Sequence, residues 1–237
     1  MQPPTSELYQ VELLKVENSE KSDKNIIMIT AGGVGNRFGA DTPKQYLLIN
    51  NRPVISYAIE AASASKYVDA VLVVADPFYH EELKKNYGVD VAVNGAELNI
   101  TKRNGLDYIK QNSSCSKVIV MDAVRPTIET EVIDRIFDLL DEYDAAAVAR
   151  KITDSLGHYG EWVVNREEYY TLSTPEGFRF SLLDKYFRAD SKYTESIQQL
   201  PENSKVYLDF DVPYFEKITY PEDLIKIEAI LRSKERR

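Results

Sequence analysis

The chain has 237 residues, 43% of them hydrophobic and 28% charged, a balance that suits one large α/β domain or two small ones. Its 38 acidic against 29 basic residues give a formal net charge of −9, which excludes a broad basic face for nucleic acid or an anionic membrane but not a local cationic site for an anionic substrate. One cysteine, Cys115, excludes an internal disulfide, and two histidines, His80 and His158, without Cys/His spacing give no support to zinc, Ser-His-Asp or Cys-His chemistry.

Residues 1–24 are polar and charged, with one short apolar patch at Val11–Val16, and are read as a tail outside the core. They lack the apolar stretch of a signal peptide, and no run in the chain approaches the roughly 20 apolar residues of a membrane span, so a cytoplasmic protein is expected. The domain is expected over 25–237. Ile26 to Ile29 is a continuous apolar run ending in glycines, the pattern of a parallel strand buried on both faces. Similar runs recur at Ala70–Ala75, Val89–Val93, Val118–Met121 and Ala145–Ala149. Between the last two, Glu129–Tyr143 carries Val132, Ile133, Ile136, Phe137 and Leu140 on one helical face, with Glu129 and Glu131 suited to the positive end of the dipole. Strands alternating with helices predict a Rossmann-like, doubly wound, mostly parallel sheet.

The alternation stops after Arg150. Residues 151–175 hold Tyr159, Trp162, Val163, Val164, Tyr169, Tyr170 and Leu172 around a polar Asn165-Arg166-Glu167-Glu168, which predicts an arm or hairpin standing off the sheet. The last helix is expected to start at a capping box of Thr219 and Glu222, ahead of Leu224, Ile225, Ile227, Ile230 and Leu231.

Chemistry is concentrated after the first and fourth strands. Ala31-Gly32-Gly33-Val34-Gly35-Asn36-Arg37-Phe38-Gly39 follows strand one; glycines there let backbone N–H groups face a phosphate chain, and Arg37 adds positive charge. A tight strand–loop connection would use the same glycines. Gly33, Gly35 and Gly39 are spaced one residue too far for the dinucleotide fingerprint, and the Gly-Lys-Ser/Thr of a P-loop is missing. Lys44, in Pro43-Lys44-Gln45-Tyr46, is near enough to clamp a triphosphate together with Arg37. Asp122, in Met121-Asp122-Ala123-Val124-Arg125-Pro126, ends its strand at the edge where α/β sheets bind ligands, and its carboxylate suits Mg²⁺ on phosphates as well as a turn cap. Arg125 suits a substrate phosphate or a salt bridge.

The strings AGGVGNRFGADTPKQYL, MDAVRP, KITD, STPEGF and EKITYPEDL, in this order and spacing over about residues 25–232, resemble the 2-C-methyl-D-erythritol 4-phosphate / ribitol 5-phosphate cytidylyltransferase family. The resemblance implies transfer of CMP from CTP to a sugar-alcohol phosphate, a divalent cation such as Mg²⁺ on Asp122, and a homodimer built through the arm. It implies that Ala31, Gly32, Gly33, Val34 and Gly35, with Gly95, Ala96, Thr101, Asp122 and Ala123, bind the nucleotide, and that Arg37, Lys44 and Lys217 stabilise charge at the α-phosphorus. Arg125, Asp154, Ser155 and Thr219 would meet the acceptor, and Arg166 and Thr174 would reach from the arm into the partner's site. For Thr219 the capping role is sufficient reason for a threonine.

The chain departs from the family's pattern where Met121 stands in place of histidine, and Leu98 and Thr101 in place of arginine and serine. Phe215-Glu216-Lys217 replaces Asn-Ile-Lys, and the arm is short. These departures suggest kept chemistry with an unusual acceptor, and the AGGVG loop leans toward a cell-surface polymer pathway over an isoprenoid one. A nucleotidylyltransferase using another NTP, or a paralogue that binds a nucleotide without turnover, are the competing readings.

Overall fold

A computed structural model describes residues 23–33, 38, 42–160, 163–213 and 215–234. Its main sheet comprises β1 (Lys24–Ala31), β4 (Ala70–Ala75), β5 (Asp90–Val93), β6 (Cys115–Asp122), β7 (Ala145–Lys151), β8 (Tyr170–Arg179) and β9 (Val206–Asp209). A short ribbon pairs β2 (Leu48–Ile49) with β3 (Arg52–Pro53). The helices are α1 (Val54–Ser63), α2 (His80–Tyr87), α3 (Leu98–Asn112), α4 (Thr130–Leu139), α5 (Phe180–Tyr186) and α6 (Pro221–Lys234).

The strand order is β5-β4-β1-β6-β8-β7-β9. β5, β4, β1 and β6 run parallel, β8 lies antiparallel to both β6 and β7, and β9 pairs parallel with β7. The mostly parallel α/β architecture is thus the expected one. Alternation along β1 sorts its side chains to two layers: Ile27 and Ile29 pack with α1 and α4 residues such as Ile55 and Ile133, and Ile26 and Met28 with Leu106, Ile109 and Phe178. Each of these side chains contributes about 1.5–3 kcal/mol by leaving water. A third cluster, of Ile49, Val54, Val124, Ile218, Ile227 and Leu231, lies under α6.

Three expectations need correction. First, the region 151–175 is not wholly an arm: Lys151 ends β7, and Tyr170 to Pro175 already belong to β8. β6 pairs with β8 only from Glu176 onward and β9 with β7 only as far as Val148, so Ala149–Lys151 and Tyr170–Leu172 continue past the sheet as a two-stranded ribbon. Thr174 is therefore a buried sheet residue, 3% exposed, rather than part of a projecting arm. Second, Glu222 does not close a box on Thr219. The carboxylate of Asp223 accepts from the backbone N–H groups of both Thr219 and Tyr220, each at 2.8 Å, while the Thr219 hydroxyl donates to Lys217 O. Third, the helix expected over Glu129–Tyr143 is α4, with Glu129 at its N-cap, and residues 140–143 form a closing turn. The first strand also starts at Lys24, which the composition places in the tail; residues 1–22 lie outside the described ones.

Candidate active site

The carboxyl ends of β1, β5 and β6 open onto a cleft of about 270 Å³ lined by residues including Gly32, Gly33, Lys44, Gly95, Thr101, Asp122 and Lys217. One wall is mostly backbone. Asn94 donates from its amide to Gly32 O at 3.2 Å, and a Cβ on Gly32 would lie 2.4 Å from that side chain. Gly95 N donates to Thr101 Oγ1 at 3.0 Å, and a Cβ on Gly95 would lie 2.3 Å from Ile100 Cγ2, so both positions require glycine for close approach. Ala31 and Ala96 line the same wall, and Ala123 and Val124 line the floor. Gln45 binds the loop from below, donating to Ala31 O at 2.6 Å and Gly33 O at 3.0 Å.

The opposite wall is charged. Asp122 Oδ2 meets Lys217 Nζ at 2.9 Å and Arg125 Nε at 3.2 Å. Burial alone would raise the Asp122 carboxyl, but Lys217 and Arg125, with Lys102 further away, outweigh it and hold the group well below the usual carboxylate range. Asp122 is therefore ionised at neutral pH. Thr174 Oγ1 accepts from Arg125 Nε at 3.0 Å and from Asp122 N at 3.3 Å, a direct consequence of the antiparallel β8 starting at this edge of the sheet. The ring of Phe215 lies against the guanidinium groups of Arg125 and Arg150, 5.7 and 5.2 Å from its centroid. Lys44 Nζ donates to Ile218 O at 2.7 Å, which joins the loop after β1 to the segment carrying Lys217.

Among the sequence-derived candidates, Ala31, Gly32, Gly33, Lys44, Gly95, Ala96, Thr101, Asp122, Ala123 and Lys217 share the cleft, with Arg125 and Thr174 in direct contact behind Asp122. Val34, Gly35 and Arg37 lie outside the described residues. Asp154, Ser155 and Arg166 do not line the cleft; all three are exposed on the connection from β7 to β8, where Arg166 donates to Thr153 O and pairs with Glu167. Thr219 is half-buried outside the lining. Thr174 accepts from Asp122 N of its own chain from a position inside the sheet. Met121 points into the core at 1% exposure, so this departure leaves the cleft surface untouched, whereas Leu98 lines it. Gln45 and Asn94, neutral amides that carry no chemical signal in the sequence, also hold this wall, and each adjoins a candidate residue, Lys44 and Gly95.

An anionic ligand fits this arrangement: backbone on one wall, the ammonium groups of Lys44 and Lys217 on the other, and one ionised carboxylate between them with the Arg125 guanidinium behind it. Both Lys217 and Arg125 approach Asp122 at Oδ2. A single carboxylate beside a phosphate site suits Mg²⁺, which takes its remaining ligands from phosphate and water. No helix among the described residues is long and apolar enough to cross a membrane.

Comparison with known proteins agrees with this geometry. Residues 25–233 match the family model of 2-C-methyl-D-erythritol 4-phosphate cytidylyltransferase. The enzyme of that name from Porphyromonas gingivalis is 35% identical over 175 residues, covering 70% of this chain and 77% of its own. That from Lachnoclostridium phytofermentans is 31% identical over 233 residues, covering 89% and 97%. The crystal structure of 4-diphosphocytidyl-2C-methyl-D-erythritol synthase from Anaerococcus prevotii superposes with a TM-score of 0.76 at 21% identity, over 89% of this chain and 99% of that one, a likeness of fold. The match over nearly all described residues, together with the identities above 30%, makes this chain a member of the 2-C-methyl-D-erythritol 4-phosphate cytidylyltransferase family.

Proposed function

We propose that the protein transfers CMP from CTP to a sugar-alcohol phosphate, with 2-C-methyl-D-erythritol 4-phosphate the acceptor favoured by its relatives' names and ribitol 5-phosphate the alternative. The observation that carries this reading is the Lys217–Asp122–Arg125 cluster facing a wall of glycine backbone. Gly32, Gly33, Gly95, Ala96 and Thr101 form the nucleotide side, and Arg125 and Thr174 the acceptor side. The acceptor's phosphate is largely ionised near neutral pH, its second pKa being about 6, so no general base is required. One of its oxygens attacks the α-phosphorus of CTP in line, the new P–O bond forms, and the bond to the β-phosphate oxygen breaks to release pyrophosphate. Lys217 and Lys44, with Arg37, stabilise charge on the oxygens of the α-phosphorus, while Arg125 orients the acceptor phosphate. Mg²⁺, held by Asp122, would neutralise triphosphate charge when bound.

A pyrophosphate-release assay with CTP, UTP and other NTPs against both acceptors tests the reading. CTP-dependent, EDTA-sensitive release with an alditol phosphate is expected; release with UTP in preference to CTP, or none with any pair, overturns it.

The protein is proposed to act in the cytoplasm as a homodimer, with Arg166 of one protomer completing the site of the other. Its exposed place outside its own cleft supports this. Lys217→Ala and Arg166→Ala homodimers should each be nearly inactive. After subunit exchange in an equal mixture, half the dimers are mixed and each has one intact site in two, so activity should recover to roughly a quarter of wild type. No recovery, with exchange confirmed by mass, rejects the shared site.

A further inference from the structure

Beside the cleft, and outside the machinery described so far, two oppositely charged side chains are buried together. Lys102, 1% exposed, follows Thr101 on α3; Glu176, 0% exposed, follows Thr174 by two residues on β8. Lys102 Nζ lies 3.7 Å from Glu176 Oε2 and donates to Thr194 O at 2.7 Å and Ser196 Oγ at 3.0 Å. The Glu176 carboxylate accepts from the backbone N–H groups of Ser196 and Ile197, each at 3.0 Å. One turn earlier on α3, Asn99 donates to Ser191 O at 2.9 Å and Tyr193 O at 2.8 Å. The segment 191–197 is thus strapped by three side chains, two of which, Asn99 and Lys102, follow the cleft-lining Leu98 and Thr101 directly in sequence. The strap reaches the reacting region electrostatically as well: Glu195 feels the charges of Asp122 and Lys217.

Stability alone does not account for such a pair. Desolvating two charges costs about as much as their attraction returns, and apolar replacements of both partners are often neutral or stabilising. What a directional cluster supplies in addition is a single geometry, in which two hydrogen bonds from Lys102 and both oxygens of Glu176 are committed to one loop position.

We propose that the Lys102–Glu176 pair is a positioning element that fixes the 191–197 segment and, through the β8 strand that carries both Glu176 and Thr174, the acceptor side of the cleft relative to the nucleotide side. This rests on the cytidylyltransferase reading for its kinetic consequence but not for its structural one. The start of α3 keeps other anchors when the pair is lost, including Asn104 on Val93 O and the Arg103–Asp184 ion pair, so the nucleotide side is insulated while the strapped segment is released.

The test compares Lys102→Met, Glu176→Gln and the double variant K102M/E176Q. Lys102→Met leaves a carboxylate buried without its cation and should lower Tm clearly; the double variant, with no unpaired charge, should recover most of that loss. If the pair positions, the double variant keeps an acceptor KM raised about tenfold or more, with the CTP KM within about twofold of wild type. Its amide exchange over 191–197 should be about tenfold faster although most of the Tm has been recovered. Acceptor KM returning to the wild-type value along with Tm, or equal damage to both KM values, overturns the proposal. Wild-type turnover in the same assay controls for the reaction. Were it absent, the cytidylyltransferase reading would fall, while the exchange measurement would still decide the strap, since unchanged protection over 191–197 rejects it.

Discussion

On one side of Asp122 the sheet is four parallel strands whose inward side chains are almost all aliphatic, Ile27, Met28, Val73, Val74 and Val120 among them. On the other it is β8, β7 and β9, with Glu176 and Asp209 completely buried and Asp209 gripped by Arg135 at 2.5 and 3.0 Å. The first half holds its ligand wall with backbone and glycine, where what matters is the absence of side-chain volume. The second holds its wall with buried charge and long-range hydrogen bonds, where each partner must be the right residue. A nucleotide triphosphate is common to many reactions and can be met by a general device, whereas an acceptor has to be distinguished from its analogues, which requires directional groups that are left unpaired by the wrong one.

The junction of the halves is where substitution should do most damage. Lys217→Ala removes the ammonium 2.9 Å from Asp122 and is expected to cut kcat by roughly 10²–10³, the usual loss for one charge-stabilising donor. The side chain is partly exposed, so Tm should stay nearly constant. Steady-state kinetics checks this; a variant keeping more than about half its turnover would remove Lys217 from the reaction.

The two halves should then separate kinetically. Gly95→Ala forces a Cβ against Ile100, 2.3 Å from Cγ2 and 3.0 Å from the backbone carbon, so the first turn of α3 must shift. An overpacking cost of about 1–3 kcal/mol makes the CTP KM rise about tenfold while the acceptor KM is spared. Thr174→Val keeps shape but deprives Arg125 Nε and Asp122 N of their shared acceptor. A hydrogen bond to a charged group contributes about 1.5–3 kcal/mol, so the acceptor KM should rise tenfold or more with CTP little affected. Equal effects on both substrates from either variant would dissolve the distinction.

The same contrast explains what was legible beforehand. Strands buried on both faces announce themselves as unbroken aliphatic runs, and Ala70–Ala75 is a strand residue for residue as expected. Asp122, Lys44 and Lys217 stand inside compact motifs, so local order sufficed to bring them into one cleft. The acceptor half is assembled from distant pieces. Tyr170 and Thr171 are exposed, which made the start of β8 look like an arm, although Ser173 and Thr174 two residues later are buried in the sheet. Lys102-Arg103-Asn104 reads as the solvated face of a helix, and nothing local shows that Lys102 faces Glu176, 74 positions away in the chain, while Arg103 reaches Asp184. Asp223 rather than Glu222 closes the start of α6 because the helix begins at Pro221, which moves the reach of each carboxylate by a residue.

Charge stored in the acceptor half should show in the pH dependence of stability. Burial, and then the neighbouring Glu176 carboxylate, push Glu195 up to about 7, against the opposing effect of Lys102, with Asp122 raising and Lys217 lowering it further off. A carboxyl raised in the folded state contributes stability that is fully present below its unfolded value near 4.3 and is lost as pH rises through its folded value. Thermal melts of the wild type should therefore fall in Tm between about pH 4.5 and 8 relative to Glu195→Gln, the variant being the more stable at the upper end. Parallel curves for the two proteins would show that Glu195 titrates as an exposed group.

The smallest expected effect belongs to α6, which serves both halves equally by carrying the segment of Lys217 and Ile218. Asp223 accepts from Thr219 N and Tyr220 N, and these two bonds, with the charges of Lys226 and Lys44, hold its carboxyl below the usual range against the cost of burial. Asp223→Ala removes both acceptors and the favourable charge at the first turn, a loss of about 1 kcal/mol by analogy with other caps. For a domain of this size that is about 2–4 °C in Tm. The position of Lys217 is held independently, by Ile218 N on Val124 O at 2.9 Å and by Lys44 on Ile218 O, so kcat and both KM values should change less than about twofold. Measured together, melts and kinetics discriminate: a small Tm shift with intact turnover places Asp223 in the scaffold common to both halves. A large loss of turnover at nearly unchanged Tm would instead mean that the turn before α6 directly tunes Lys217, and that the junction extends further along the chain than the cleft itself.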